Sequence, residues 1–263
     1  MLVLLPPSEG KTAPARGAPV DLTKLSSAAL TGARERVLDR LVEVSARDDA
    51  PDLLGVGAGV ADEVRHNTGL RTAPAAPAAR VYSGVLFAAA GLPELTGTAR
   101  RRAAQCVRIF SGLWGVLEPS DRVPAYRLSM GAALPGLPGG KPSAFWRAHL
   151  AGVLDERASG DVVVDCRSAA YAAAWKPPRD CDHVTVQVVR EDVTGQRQVV
   201  SHNAKHARGL LTHHLLTRTS RPPRTAERLA EAAQEMVDGG SIHAVELGTA
   251  VRGRRTLTLV ERG

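Results

Sequence analysis

Aromatic residues are scarce in this chain, with three Trp, three Tyr and three Phe among 263 residues. Rings cannot fill such a core, so Leu, Val and Ala must do so, and each aromatic carries local weight. Cysteine is as scarce. Cys106, Cys166 and Cys181 are odd in number, widely spaced and never paired as Cys-x-x-Cys. That excludes a disulfide scaffold and the common zinc spacings, and the three read as reduced thiols. Long apolar runs are missing as well. The first, Met1 to Leu5, stops at Pro6-Pro7, too short for a secretion signal and far too short for a membrane span. A cytoplasmic protein with no membrane partner is the expectation. Acidic excess is also absent: the formal net charge is +7, which favours polyanionic partners without identifying one.

What is present reads as one α/β unit spanning 1–263, a mixed sheet with surrounding helices, with a small helical lobe at about 25–75. Leu2 to Leu5 is a buried strand leading into Pro6-Pro7-Ser8-Glu9-Gly10-Lys11-Thr12. A phosphate-binding P-loop would need glycine five residues before Gly10, where Leu5 stands, and two prolines remove donors from the loop, so a nucleotide triphosphatase is excluded. Lys11 still leaves a rigid strand end, where a lone cation can meet an anion. Leu25 to Val44 and Asp62 to Asn67 carry helical spacing. Ala79 to Val85 reads as a short strand ending in a glycine turn, and Thr98 to Cys106 as a helix carrying Arg100-Arg101-Arg102. Ser143 is expected to cap a helix to about Glu156. Asp161 to Asp165 is a parallel-type strand, and His183 to Val189 pairs with Gln198 to Ser201. Thr225 to Val237 is a capped helix before a closing hairpin, His243 to Leu247 with Thr256 to Val260.

The candidate chemistry gathers at strand ends. An apolar strand through Val107 and Ile109 opens into Phe110-Ser111-Gly112-Leu113-Trp114-Gly115-Val116-Leu117-Glu118-Pro119, followed by Tyr126-Arg127-Leu128-Ser129-Met130-Gly131. This is either a tight turn with Trp114 and Tyr126 as packing, or a site. A second strand ends at Asp165-Cys166-Arg167-Ser168. A third feature is Ala204-Lys205-His206-Ala207-Arg208-Gly209, where Lys205 and Arg208 share one face at a helix start that already favours anions. His206, His213 and His214 invite a metal reading, but adjacent histidines point apart on a helix, so no metal and no cofactor is expected.

Ser111 to Pro119 with Tyr126 to Gly131, and Ala204 to Gly209, resemble the signature segments of the YaaA family of bacterial peroxide-stress proteins. Lys11-Thr12 after the first strand, Tyr82 with Gly84, Phe145-Trp146 and the strand-end Ser168 are similar to the same family, so the resemblance covers nearly the whole chain. The chain departs from many relatives at Ala169-Ala170, where they carry an acidic pair. Membership implies a compact α/β fold with a positively charged cleft, binding of double- and single-stranded DNA, and a role in limiting free iron and oxidative DNA damage. It also implies a helix-hairpin-helix-like element, for which Gly55 to Gly59 is a candidate hairpin.

Two functions follow. The first is a DNA-binding protein without an obligate protein partner, holding phosphates with Lys11, Arg127, Lys205, Arg208 and Ser168 and stacking a base on Trp114 or Tyr126. The second is an enzyme on a nucleobase or nucleotide in the same cleft, a glycosidase or lyase or a base-modifying enzyme, with Asp165 as acid/base or charge stabiliser, Ser111 and Tyr126 positioning, and Lys205 and Arg208 neutralising phosphate. The named polar residues at separate strand ends favour the enzyme. The lack of a legible nucleophile–base pair, with the acidic pair missing, favours binding.

Overall fold

The computed structural model describes residues 1–199 and 203–263. Its strands are β1 (Leu2–Leu5), β2 (Ala76–Pro77), β3 (Val107–Ser111), β4 (Gly115–Leu117), β5 (Arg122–Val123), β6 (Val162–Asp165), β7 (Asp182–Glu191), β8 (Arg197–Val199), β9 (Ala244–Leu247) and β10 (Arg254–Arg262). One eight-stranded mixed sheet runs β4–β3–β1–β6–β7–β10–β9, with β8 on β7, and β2 pairs β5 apart from it. β1 is parallel to both β3 and β6, β6 to β7, and β7 to β10. All four β1 residues are buried, as a strand covered on both faces requires. Strand order reverses at β1, since the chain continues to β3 on one side and reaches β6 on the other. In such sheets the crevice beyond the strand C-termini at the reversal is where ligands bind.

Helices cover the sheet. Thr31–Ser45 buries Val37, Leu38, Leu41 and Val44, and its fully buried Arg34 donates to the carbonyls of Trp114 (3.1 Å) and Val116 (2.8 Å), tying the helical lobe to the β3–β4 hairpin. Burial lowers the Arg34 guanidinium to about 10. Arg102, from Gly97–Cys106, donates to the carbonyls of Leu215, Leu216, Arg218 and Ser220, closing the end of the helix Asn203–Thr217. Its neighbours Arg100 and Arg101 remain exposed.

Three expectations change. Ala79 to Val85 is not a strand: Ala78–Val81 is a helical turn, because the N–H groups of Ala78 and Ala79 find the carbonyls of Asp121 (2.7 Å) and Pro119 (3.0 Å) at its start. Tyr82 keeps only a single bridge to Lys11. The helix beginning near Ser143 starts at Pro142 and is broken into Pro142–Arg147 and Ala151–Ala158, as Ala148 and His149 switch to tighter three-residue bonds. The lobe helix begins at Thr31 rather than Leu25, after two short 3-10 turns. The expected strand Gln198 to Ser201 is present as β8 to Val199. Val200, Ser201 and His202 lie outside the described residues. No described helix is long and apolar enough to cross a membrane.

Gly209 shows how tightly the layers meet. A Cβ there would lie 2.4 Å from the Leu86 carbonyl oxygen and 2.6 Å from the Ala89 Cβ, so Asn203–Thr217 rests directly on Val85–Ala90. Gly209→Ala is therefore expected to cost about 2–3 kcal/mol of unfolding free energy. An unchanged denaturant midpoint would show that the two helices do not touch this closely.

Candidate functional site

The site begins with the turn after β3. Ser111 pairs with Gly115 across the β3–β4 hairpin, and its Oγ accepts the N–H of Trp114 at 2.9 Å. Gly115 holds φ +72°, and a Cβ would sit 2.8 Å from the Trp146 ring, so only glycine fits. Trp146 in turn donates from its indole N–H to the Gly112 carbonyl at 2.8 Å. This is the reason the Phe145-Trp146 pair and the Ser-Gly-Leu-Trp-Gly run belong together.

From this rigid turn a chain of hydroxyls runs inward. Ser111 Oγ lies 2.6 Å from the Tyr126 hydroxyl, which lies 2.9 Å from that of Tyr82. Both tyrosines are buried. Burial raises both phenols well above their usual range, so neither ionises at neutral pH. Tyr171, also raised by burial, sits at about 12.

Lys11 lies on this platform. The loop leaving β1 is held by the Lys11–Tyr82 bridge and by the Thr12 N–H bond to the Val81 carbonyl at 2.9 Å. The Lys11 Nζ sits 4.4 Å from the Tyr126 ring centre and 5.6 Å from that of Tyr82. It donates to the Ser8 carbonyl at 3.0 Å and the Glu9 carbonyl at 3.4 Å. Ring and carbonyl contacts are worth roughly 1 kcal/mol each, less than the several kcal/mol that desolvating an unpaired ammonium costs. The proton is accordingly loosened: burial first, then the charge of Arg127, lower Lys11 to about 7, against partial support from Glu63 and Glu9.

Arg127 stands beside it. Its backbone is clamped by buried Asn67, whose side-chain oxygen accepts the Arg127 N–H at 2.8 Å while its amide donates to the Arg127 carbonyl at 2.9 Å. The guanidinium reaches the Glu9 carbonyl (3.3 Å) and pairs with Glu63 (3.4 Å). A cavity of about 410 Å³ opens over Lys11 and Tyr126, with Glu63 and His66 on its lobe side and Pro14, Pro74 and Ala125 among its apolar walls.

Lys11, Ser111, Tyr126 and Arg127 are therefore brought together. The other predicted residues lie elsewhere. Asp165 ends β6 buried, with Arg167 donating to its two oxygens (2.8 and 2.7 Å) and His183 at 3.1 Å. Burial pushes its carboxyl upward, but the bonds and charges of Arg167 and His183 outweigh this and hold it well below the usual carboxylate range. It is a fixed anion rather than a proton donor near neutrality. Arg208 turns inward, donating twice to the Val186 carbonyl (3.2 and 2.8 Å), while Lys205 and Ser168 are exposed. Trp114 has no exposed surface, so it offers a base no ring face. Asn67, Glu63 and His66 were not foreseen; an Asn closing a short helix and two polar residues on a lobe helix carry no motif. Among the described residues no three His, Cys, Asp or Glu side chains gather as a metal site.

Residues 1–236 match the family model described as peroxide stress protein YaaA. A UPF0246 protein of Streptomyces coelicolor is 48% identical over 240 residues, covering 90% of each chain. UPF0246 proteins of Corynebacterium efficiens and Corynebacterium glutamicum strain R are 40% and 36% identical, over 99% of this chain and 100% of theirs.

The buried amine makes a stability prediction. The unfolded chain holds the Lys11 proton to about pH 10.5, whereas the folded one releases it near 7. Between those values unfolding takes up a proton, so this group makes the parent more stable as pH rises. Lys11→Met should be stabilised relative to the parent at about pH 6, the gap narrowing by at most about 1.4 kcal/mol per pH unit above 7. A gap constant with pH, in denaturant titrations, would mean the amine stays charged.

Proposed function

The chain belongs to the peroxide stress protein YaaA family, and from that premise we propose that it is a cytoplasmic nucleic-acid-binding protein that limits oxidative damage to DNA. One observation carries this reading. Lys11 lines an open cavity with Arg127 beside it, and among the described residues the Lys11 ammonium meets backbone carbonyls and tyrosine rings but no carboxylate, Glu63 being engaged by Arg127. Two cations sharing one carboxylate leave a site that is completed by an anion, and a backbone phosphate is the anion that the net charge of +7 brings in number. Exposed Lys205, Arg100, Arg101, Arg252 and Arg254 extend positive charge over the surface for further phosphates.

A second reading, an enzyme acting on a nucleotide unit in the same cavity, is favoured by the buried Ser111–Tyr126–Tyr82 hydroxyl chain beneath Lys11. Phosphate binding alone does not require it.

An anion binds the protonated form of Lys11, so binding takes up a proton and tightens as pH falls through about 7. In fluorescence-anisotropy titrations with duplex and single-stranded DNA, the parent should show this pH dependence and Lys11→Met should lose it. Lys205→Ala should leave the pH dependence intact and reduce the slope of log K against log salt by about one, the share of a single phosphate contact. Binding that is indifferent to pH and to Lys11→Met would move the phosphate site away from this cavity.

A further inference from the structure

We propose that Lys11 is an imine-forming nucleophile whose substrate is the open-chain aldehyde of a base-less deoxyribose in DNA. This rests on the nucleic-acid reading above and names the substrate of that cavity. The amine is positioned, accessible and free of a carboxylate partner among the described residues: it lies over the Tyr126 ring at 4.4 Å, faces the 410 Å³ cavity, and is fixed by the Lys11–Tyr82 bridge. A structural lysine is ordinarily paired or extended into water, and this one is neither. The groups around it are Glu9 from its own loop, Glu63 and His66 from Ala61–His66, Arg127 and Tyr126 from the loop after β5, and Tyr82. Their balance, dominated by burial, keeps much of the amine neutral near pH 7, the form that attacks a carbonyl.

The walls select the sugar over the base. Among the described lining residues Tyr126 is the one phenol and the Lys11 ammonium already lies over its ring, the other ring being the exposed His66 imidazole, while Pro14, Pro74 and Ala125 are small and aliphatic. The Tyr126 face is therefore already taken, whereas a pentose packs against the small aliphatic walls and its phosphate would reach Arg127 beside the cavity. Loss of a base to peroxide-derived radicals leaves such a sugar, whose open form is an aldehyde.

The step balances without an oxidant or reductant. The Nζ lone pair forms a bond to the aldehyde carbon, the carbonyl π pair moves to oxygen, and a proton passes from nitrogen to that oxygen. A second proton lets the hydroxyl leave as water while the nitrogen pair forms C=N. Amine, aldehyde and one proton thus give the protonated imine and water, and release of its N–H proton gives the neutral imine, with Glu63 and His66 as the cavity groups able to supply and take back that proton.

The test is borohydride trapping on the full chain. Reduction delivers hydride to the imine carbon and fixes a secondary amine between protein and DNA. The parent is incubated with a duplex bearing one base-less site, between about pH 6 and about pH 9, in parallel with an intact duplex and with deoxyribose 5-phosphate. Lys11→Arg keeps the charge but cannot form the imine, and the exposed Lys24→Met serves as control. The expected result is a covalent adduct with the base-less duplex alone, mapped to Lys11, lost in Lys11→Arg and retained in Lys24→Met. An adduct that survives Lys11→Arg, or maps elsewhere, overturns the assignment. Duplex bound by the parent with no adduct at any pH also overturns it, leaving the binding reading intact. Trapping of deoxyribose 5-phosphate at Lys11 without duplex binding supports the amine chemistry and overturns the nucleic-acid reading instead.

Discussion

The hydrogen bond between Ser111 Oγ and the Tyr126 hydroxyl, 2.6 Å in the interior, is the contact on which the cavity depends. It joins the β3–β4 hairpin to the loop carrying Arg127, and through the Tyr82 hydroxyl it reaches the segment that pins the loop after β1. Three stretches far apart in the chain thereby form one floor beneath Lys11. A hydroxyl buried here without its partner would cost more than the bond itself contributes, which makes the chain of three an all-or-none arrangement. The neighbouring indole N–H of Trp114 is left without a partner, a buried donor that the packing around this floor does not satisfy.

Two charged clusters lie at the C-terminal edge of the same sheet and obey opposite rules. At Asp165 the charge is fully met: Arg167 spans both oxygens, stacks over the Phe110 ring at 4.2 Å and donates to the Trp175 carbonyl. Removing either partner would strand a buried ion, so the pair behaves as structure. At Lys11 the charge is deliberately left short of partners, and its proton is correspondingly loose. A site whose protonation changes near neutral pH is where chemistry or regulated binding is possible; a satisfied ion pair is not.

Much of the architecture was legible because it rests on local pattern. Leu2 to Leu5 reads as a covered strand from apolar continuity alone, and Val162–Asp165 and Asp182–Glu191 follow from β-branched runs. Thr225 announces its helix as a cap, and its hydroxyl does accept the Arg228 N–H. Structure departs from local pattern where tertiary partners override local preference. Ala78–Val81 is helical because distant carbonyls of Pro119 and Asp121 satisfy its first N–H groups, which no window of sequence contains. The site was half legible for the same reason. Lys11, Ser111, Tyr126 and Arg127 stand out by type and place, whereas Asn67 acts through a clamp on a backbone 60 residues away. Arg208 stands out equally well and is spent on the Val186 carbonyl. Residue type marks a group as capable; only its partners show whether that capability is already used.

In the proposed function, the proton on Lys11 would link holding a strand to acting on it. On the proposed reading, the protonated amine would complete a phosphate site with Arg127, and the neutral amine would be a nucleophile over the tyrosine rings. A phosphate seated against Arg127 would offset the very charge that helps depress Lys11, drawing its proton back and favouring retention of the bound strand. An uncharged aldehyde entering beside that phosphate does not add to this pull, and the desolvation that loosens the proton deepens as water leaves the cavity. Under that proposal binding and reaction would compete through one titration with a midpoint near 7, their balance set by how closely a phosphate approaches Nζ.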